Sequence, residues 1–319
     1  MSSRWKVLAV AAGWLIVGCG GGDAKSPADA PGVDLDGDPV ALLPGDALIL
    51  ANVDAKAFYA SQSFATQAAL VVDKLLPIGE ESGFVPSRDV ERVVVAAYST
   101  QGADAAAIVK GHFEDGKIAQ AAQSHTATRT GGQLSTSTYL GHTVYLVGGA
   151  EFVVLTSKTA LAGTEAGVRR TLEKIKDNKV KRTFAPWMVD TIETKGAEVA
   201  LAADFAGQPV ASAAIGAVPL TFFNGMHALR VIGNFKEPGM HVAATITYGD
   251  ASQASSAADQ LKMADSITRT LGLLLAAAPQ VQNLEITPQD KDVQVKAQID
   301  DQSLRKLFGM APQWINPAH

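Results

Sequence analysis

Apolar and polar positions along the chain change rhythm several times, and each change predicts an element. Ala47 to Val53 is a short apolar run that reads as a strand. Over residues 55–76 the apolar positions Phe58, Ala65, Ala68, Val72 and Leu75 recur at threes and fours, which predicts a helix ended by Pro77 and Gly79. Val90 to Ser99 and Ala105 to Phe113 read as a strand pair turning at Gln101-Gly102. A short helix over 115–125, capped by Asp115, comes next. Leu134 to Leu146 is rich in Thr and Tyr and reads as extended. Gly148-Gly149 supplies a tight turn, and Phe152 to Thr156 is the return strand. From Lys158 to about Asp177 the spacing of Leu161, Val168, Leu172 and Ile175 predicts a helix.

A similar order then returns. A short helix over Pro186 to Thr194 precedes a strand from Glu198 to Phe205, and a small helix is expected over 209–217. Ala228 to Phe235 and His241 to Tyr248 form a hairpin across Pro238-Gly239. The longest helix is expected over 250–277, with Ala254, Ala258, Leu261, Ile267, Leu271, Leu274 and Ala278 on one stripe and Pro279 at its end. Leu284 to Thr287 and Val293 to Ile299 make a last hairpin, and Ser303 to Met310 a closing helix. Lys262, Asp265 and Arg269 interrupt the long helix, so it reads as a core helix and not as a bilayer span. Adjacent hairpins predict an α+β fold: a mostly antiparallel sheet with helices packed on one face. The repeated element order suggests two similar halves, 42–180 and 181–319. One sheet running through both would make a single large domain.

The start of the chain has a different texture. Arg4 and Lys6 are followed by a charge-free apolar stretch from Val7 to Val17. Eleven residues are too few for a bilayer core that needs about 20 in a helix, so the segment reads as a signal peptide, residues 1–18. Leu15-Ile16-Val17-Gly18-Cys19 resembles the lipobox of bacterial lipoproteins: an aliphatic residue at −3, Gly at −1 and Cys at +1. The resemblance is confined to about the first 20 residues. It implies cleavage between Gly18 and Cys19, diacylglycerol on the Cys19 sulfur, and acylation (palmitate or a similar chain) of the new amino terminus. Several acyl chains give stable anchoring where one alone is marginal. Gly20 stands where Asp would favour retention at an inner membrane, so the resemblance leans towards a lipid-anchored protein of the cell envelope, in the periplasm or at the outer membrane. Residues 19–41, rich in Gly, Pro, Ala and Asp, read as a flexible tether.

Composition narrows the chemistry. Cys19 is the only cysteine, so an intramolecular disulfide is excluded and stability must come from burial and hydrogen bonding. The chain carries 27 basic and 32 acidic side chains; without Arg4 and Lys6 the charge is 25 − 32 = −7, which gives no general attraction for nucleic acid. The histidines His112, His125, His142, His227, His241 and His319 follow no zinc spacing, and no nucleophile elbow or phosphate loop is present. No cofactor is expected and no catalytic residue is nominated. Asp34, Asp36 and Asp38 have the spacing of a calcium loop, but Pro39 and Gly45 occupy places that such a loop gives to Gly and Glu. They read as part of an acidic, solvated tether.

Seven basic residues, Arg169, Arg170, Lys174, Lys176, Lys179, Lys181 and Arg182, fall within fourteen positions. They read either as a solvated helix face or as a contact patch for lipid head groups or an acidic partner. Trp187 and Trp314 each follow a proline-containing loop and read as plugs over a core edge, with a shared cleft as the sharper alternative. The expected function is a non-enzymatic binding or scaffold module, held to membrane lipid through acylated Cys19 and open to a protein partner in the envelope. The alternatives are a hydrolase assembled from distant residues and a carrier of an apolar ligand.

Overall fold

In a computed structural model, the described residues are 33–61, 82–99, 104–124, 134–147, 149–208, 213–215, 218–236, 239–275 and 281–304. The signal peptide, Cys19, most of the tether and Trp314 lie outside them. So do most of the expected 55–76 helix and residues 305–310 of the closing one.

Twelve strands form one antiparallel sheet. In chain order, and with a separate ribbon included, the strands are β1 (Ile49–Asp54), β2 (Val90–Ala97), β3 (Ala105–Gly111), β4 (Ser135–Tyr139), β5 (His142–Val147), β6 (Ala150–Thr156) and β7 (Thr159–Gly163). They continue as β8 (Val199–Asp204), β9 (Ala213–Ile215), β10 (Val218–Leu220), β11 (Met226–Asn234), β12 (Met240–Tyr248), β13 (Val281–Gln289) and β14 (Asp292–Ile299). The sheet order is β13-β14-β12-β11-β8-β1-β2-β3-β7-β6-β5-β4, and β9 with β10 makes the ribbon. The helices are α1 (Pro39–Leu42), α2 (Ala55–Ala60), α3 (Pro86–Asp89), α4 (Asp115–Gln123), α5 (Glu165–Lys176), α6 (Pro186–Ile192) and α7 (Ala251–Leu275), with a 3-10 turn at Thr221–Phe223.

The two stretches expected as halves meet at β1 and β8, which pair from Ile49↔Ala203 to Val53↔Val199. The sheet is therefore continuous through them. The small side chains Ala200, Ala202 and Ala203 at this seam are fully buried, which lets layers on both faces approach the backbone closely.

Helices pack on both faces, not one as the hairpin pattern predicts. Period-2 alternation explains why. On β2, Val94 and Ala96 face a cluster with Val40, Leu42, Val168, Leu172 and Ile192, supplied by α1, α5 and α6. Val93 and Val95 face the other way, into a cluster with Phe84, Phe113, Ile118 and Phe152 beside α4. Ile49, Ala203 and Ile246 meet Ala254, Ala257 and Ala258 of α7. Strands buried on both sides are apolar throughout, so their pattern cannot say how many faces are covered.

Four local expectations are corrected. Thr159 to Gly163, expected as the opening of the helix that runs to about Asp177, is β7; all five of its residues are buried. Its Ala and Leu favour helices, but pairing with β3 and β6 decides the matter. Thr164 caps the real helix, accepting from the Gly167 amide at 3.2 Å. The extended stretch before residue 146 is a hairpin, β4 to β5, turning at Leu140 and Gly141 with positive φ at both. The small helix expected over 209–217 is replaced by the β9–β10 ribbon, as far as those residues are described. Asp115 is the first residue inside α4; Glu114 stands at its cap position without a side-chain bond.

Candidate functional site

The seven basic residues lead back to the start of the folded chain. Residues 36–46, expected largely as free tether, are fastened to the sheet. Val40, Ala41, Leu42 and Leu43 are buried, and Asp38 caps α1 through the Val40 amide at 3.0 Å. Arg182 donates to Asp38 at 2.6 Å and to both Glu193 oxygens at 2.9 and 2.6 Å. Lys174 donates to the Leu43 carbonyl at 2.6 Å, and burial pulls its ammonium below the usual lysine range. Arg170 pairs with Asp104 and Asp46 and lies 4.1 Å from the centre of the Tyr98 ring, whose hydroxyl donates to the Pro44 carbonyl. A Cβ on Gly45 would fall 2.5 Å from the Thr183 carbonyl carbon, so the segment also needs glycine where it crosses residue 183.

Of the rest, Arg169 pairs with Glu165 and lies over Tyr139, and Lys179 pairs with Asp177. Lys176 and Lys181 are exposed, with no ion pair to a carboxylate among the described residues. The cluster expected as a solvated face or contact patch thus has three members, Arg170, Lys174 and Arg182, that bind the start of the chain.

The aspartates close this clamp and do not converge on a cation. Asp34 accepts from the amides of Asp36 and Gly37. Asp36 takes hydroxyls from Thr156 and Thr159, each at 2.6 Å, and the Lys110 ammonium at 3.3 Å. Burial alone would raise the Asp36 carboxyl; the two hydroxyls and Lys110 outweigh it and hold it below the usual range. No group of three or more His, Cys, Asp or Glu suited to a metal occurs among the described residues. His241 and His227 sit at opposite ends of the β11–β12 hairpin, and burial pulls His142 below the ordinary histidine value.

The same face holds an open concavity. The α6 helix packs on β1, β8 and part of β11; beyond it, towards β12 and β14, no described helix covers this side of the sheet. Two adjoining basins of about 480 Å³ each lie there. One runs beneath Trp187, Asp190 and Thr194 onto Arg230, Ile232 and Thr245; the other continues over His241, Ala243, Lys296 and Gln298 to Glu285. The Arg230 guanidinium lies 5.1 Å from the Trp187 ring centre, and Glu285 faces Lys296 at 3.6 Å. Trp187 is half-buried against the core, as a plug would be, and its ring also walls the groove with a cation beside it. The alternation of polar residues on one side of β11, β12 and β14 signals this solvated surface in the sequence, but only the sheet order shows that the strands are neighbours.

No helix among the described residues is long and apolar enough to cross a membrane. No family model and no curated protein matches the chain. Solved structures do. Crystal form III of TP0453 aligns at 11% identity over 86% of this chain and 100% of the other, with a TM-score of 0.54. Crystal form IV aligns at 9% identity over 85% and 96%, with a TM-score of 0.50. At such identities the likeness is one of fold: this chain shares with TP0453 an α+β architecture dominated by a large antiparallel sheet.

Proposed function

We propose that this chain is an exported lipoprotein, cut before Cys19, held to the outer membrane by lipid on that cysteine, and used as a non-enzymatic binding or scaffold module. The observation that carries the reading is the run Leu15-Ile16-Val17-Gly18-Cys19 behind a short, positively led apolar segment. The clamp on residues 36–46 supports it. An anchored domain transmits the pull of its anchor into the segment where the chain joins the sheet, and here that segment is tied by charge-assisted bonds from β3, β7, α5 and the connector after it. Residues 36–41, which composition assigns to the tether, are then part of the clamp.

The binding role falls to the bare face beside α6. Its two basins are open and lined by polar and apolar groups together, a shape suited to a protein surface more than to a small molecule that must be enclosed. A protein partner in the envelope would meet Trp187 and Arg230 in the basin beneath α6, and these residue types dominate interface energetics.

Two measurements test this. Mass spectrometry of the protein purified from its own membrane should show the leader missing and a diacylglyceryl or triacyl mass on Cys19. Cys19→Ser should move the protein from the membrane to the soluble fraction. An intact leader, or a Cys19→Ser form that stays equally bound, overturns the anchor. For the groove, Arg230→Ala with Trp187→Ala should abolish recovery of the envelope protein that cross-links to the wild type. Unchanged recovery overturns the assignment of this face.

A further inference from the structure

The two outer strands of the sheet differ in how they are protected. An edge strand presents unpaired N–H and C=O groups and invites another strand, and proteins blunt such edges with charges, prolines and bulges. β13 has all three: Glu285, Pro288, and a register shift between Gln282 and Glu285 where Asn283 takes φ 49°. β4 has none. Its sequence, Ser135-Thr136-Ser137-Thr138-Tyr139, pairs in unbroken register with β5, and Ser135 to Thr138 are exposed. No described residue pairs with its outer side.

We propose that β4 is the interface through which a second copy of this chain adds, antiparallel, to make one sheet across a two-fold axis. The choice of a second copy rests on three features. Centred on Ser137, an antiparallel pairing sets Thr136 opposite Thr138 of the other copy and Ser135 opposite Tyr139. Hydroxyl and β-branched partners suit a cross-strand pair, and no charge meets its like. The guarded β13 edge cannot accept β4, so addition closes as a dimer and does not run on as a filament. Finally, the two-fold axis of an antiparallel strand pair stands perpendicular to the sheet, so both copies turn the same face to the same side. That face carries α1 and the clamp, so two chains entering there would start from one surface. This last argument rests on the proposed anchor; the first two do not.

Five strand residues make a small contact, so the dimer is weak and concentration-dependent. Sedimentation velocity of the full chain in detergent should show dimer growing through the micromolar range. Ser137 is exposed, and Ser137→Lys would set two like charges face to face at the axis, as would Ser137→Glu. Each variant alone should remain monomeric, with an unchanged circular dichroism spectrum, and mixing the two should restore dimer as a hetero-pair. A wild type that stays monomeric to about 1 mM overturns the proposal. So does a dimer unaffected by either variant, or monomeric variants that fail to pair when mixed. None of these outcomes depends on whether Cys19 carries lipid, so failure here and failure of the anchor are told apart.

Discussion

Asp36 shows how much one carboxylate does in this molecule. It gathers two hydroxyls and an ammonium from strands more than 70 positions away in the chain, and Thr159, one of the donors, is fully buried. Asp36→Ala leaves that hydroxyl without its acceptor. Bonds to a charged group are worth about 1.5–3 kcal/mol, but this carboxylate is partly exposed, so about 1 kcal/mol of stability should be lost in urea denaturation. Protease should also cut more readily within residues 33–46 of the variant. Because folding lowers the Asp36 pKa, its contribution is present above the ordinary carboxyl value near 3.8 and fades as pH falls through the lower folded value. The difference between wild type and Asp36→Ala should therefore be largest near neutral pH and shrink below about pH 4, as read by thermal melts across pH. In the sequence these three aspartates are visible only as an acidic run. Spacing at i, i+2 and i+4 is shared by calcium loops, solvated tethers and caps, and the partners that decide among them lie far along the chain.

At the level of elements, α5 sits closer to the sheet than an ordinary helix, because Gly167 faces β3. A Cβ there would fall 2.2 Å from the Ala105 carbonyl oxygen. Gly→Ala inside a helix normally gains about 1 kcal/mol. Here the clash with backbone should reverse the sign, and Gly167→Ala should lower stability by about 1–3 kcal/mol in chemical denaturation. A gain in stability would show that α5 can shift outward at no cost. Helix α5 also shows what the pattern can and cannot deliver. Val168, Leu172 and Ile175 are legible as its buried stripe and are all buried. Leu161 has the spacing of the same stripe and lies in β7 instead. A five-residue run that is buried at every position carries no period, so only its neighbours in space distinguish strand from helix. The hairpins β2–β3, β11–β12 and β13–β14 are legible because turn residues and extended runs coincide there, while the ribbon β9–β10 is not.

For the molecule as a whole, the β1–β8 seam joins the two stretches into one sheet and should make them unfold as one cooperative unit. Asn52, buried at the seam, donates to the Ile192 carbonyl at 3.2 Å and accepts from Arg92 at 2.6 Å, so α6, β1 and β2 are tied at one point. Leu50 is fully buried on the same strand. Leu50→Ala should cost about 2–5 kcal/mol, and hydrogen exchange should speed up in β3 and β7 as much as in β12 and β14. Faster exchange on only one side of the seam would mean that the halves unfold separately. The sequence announces a repeated element order but not the joint, since nothing in Ile49 to Asp54 specifies β8 as its partner.

That joint also governs how the chain reaches its native state. The first strand acquires its second neighbour only when a segment about 150 residues downstream arrives. Pairings of such long range make folding slow. A chain threaded through an export channel from its amino terminus would hold β1 half-satisfied for most of its passage. A fragment ending before Val199 should therefore aggregate, or call on a holdase, even though it contains every strand up to β7. The joint closes only when one short alanine-rich strand has emerged.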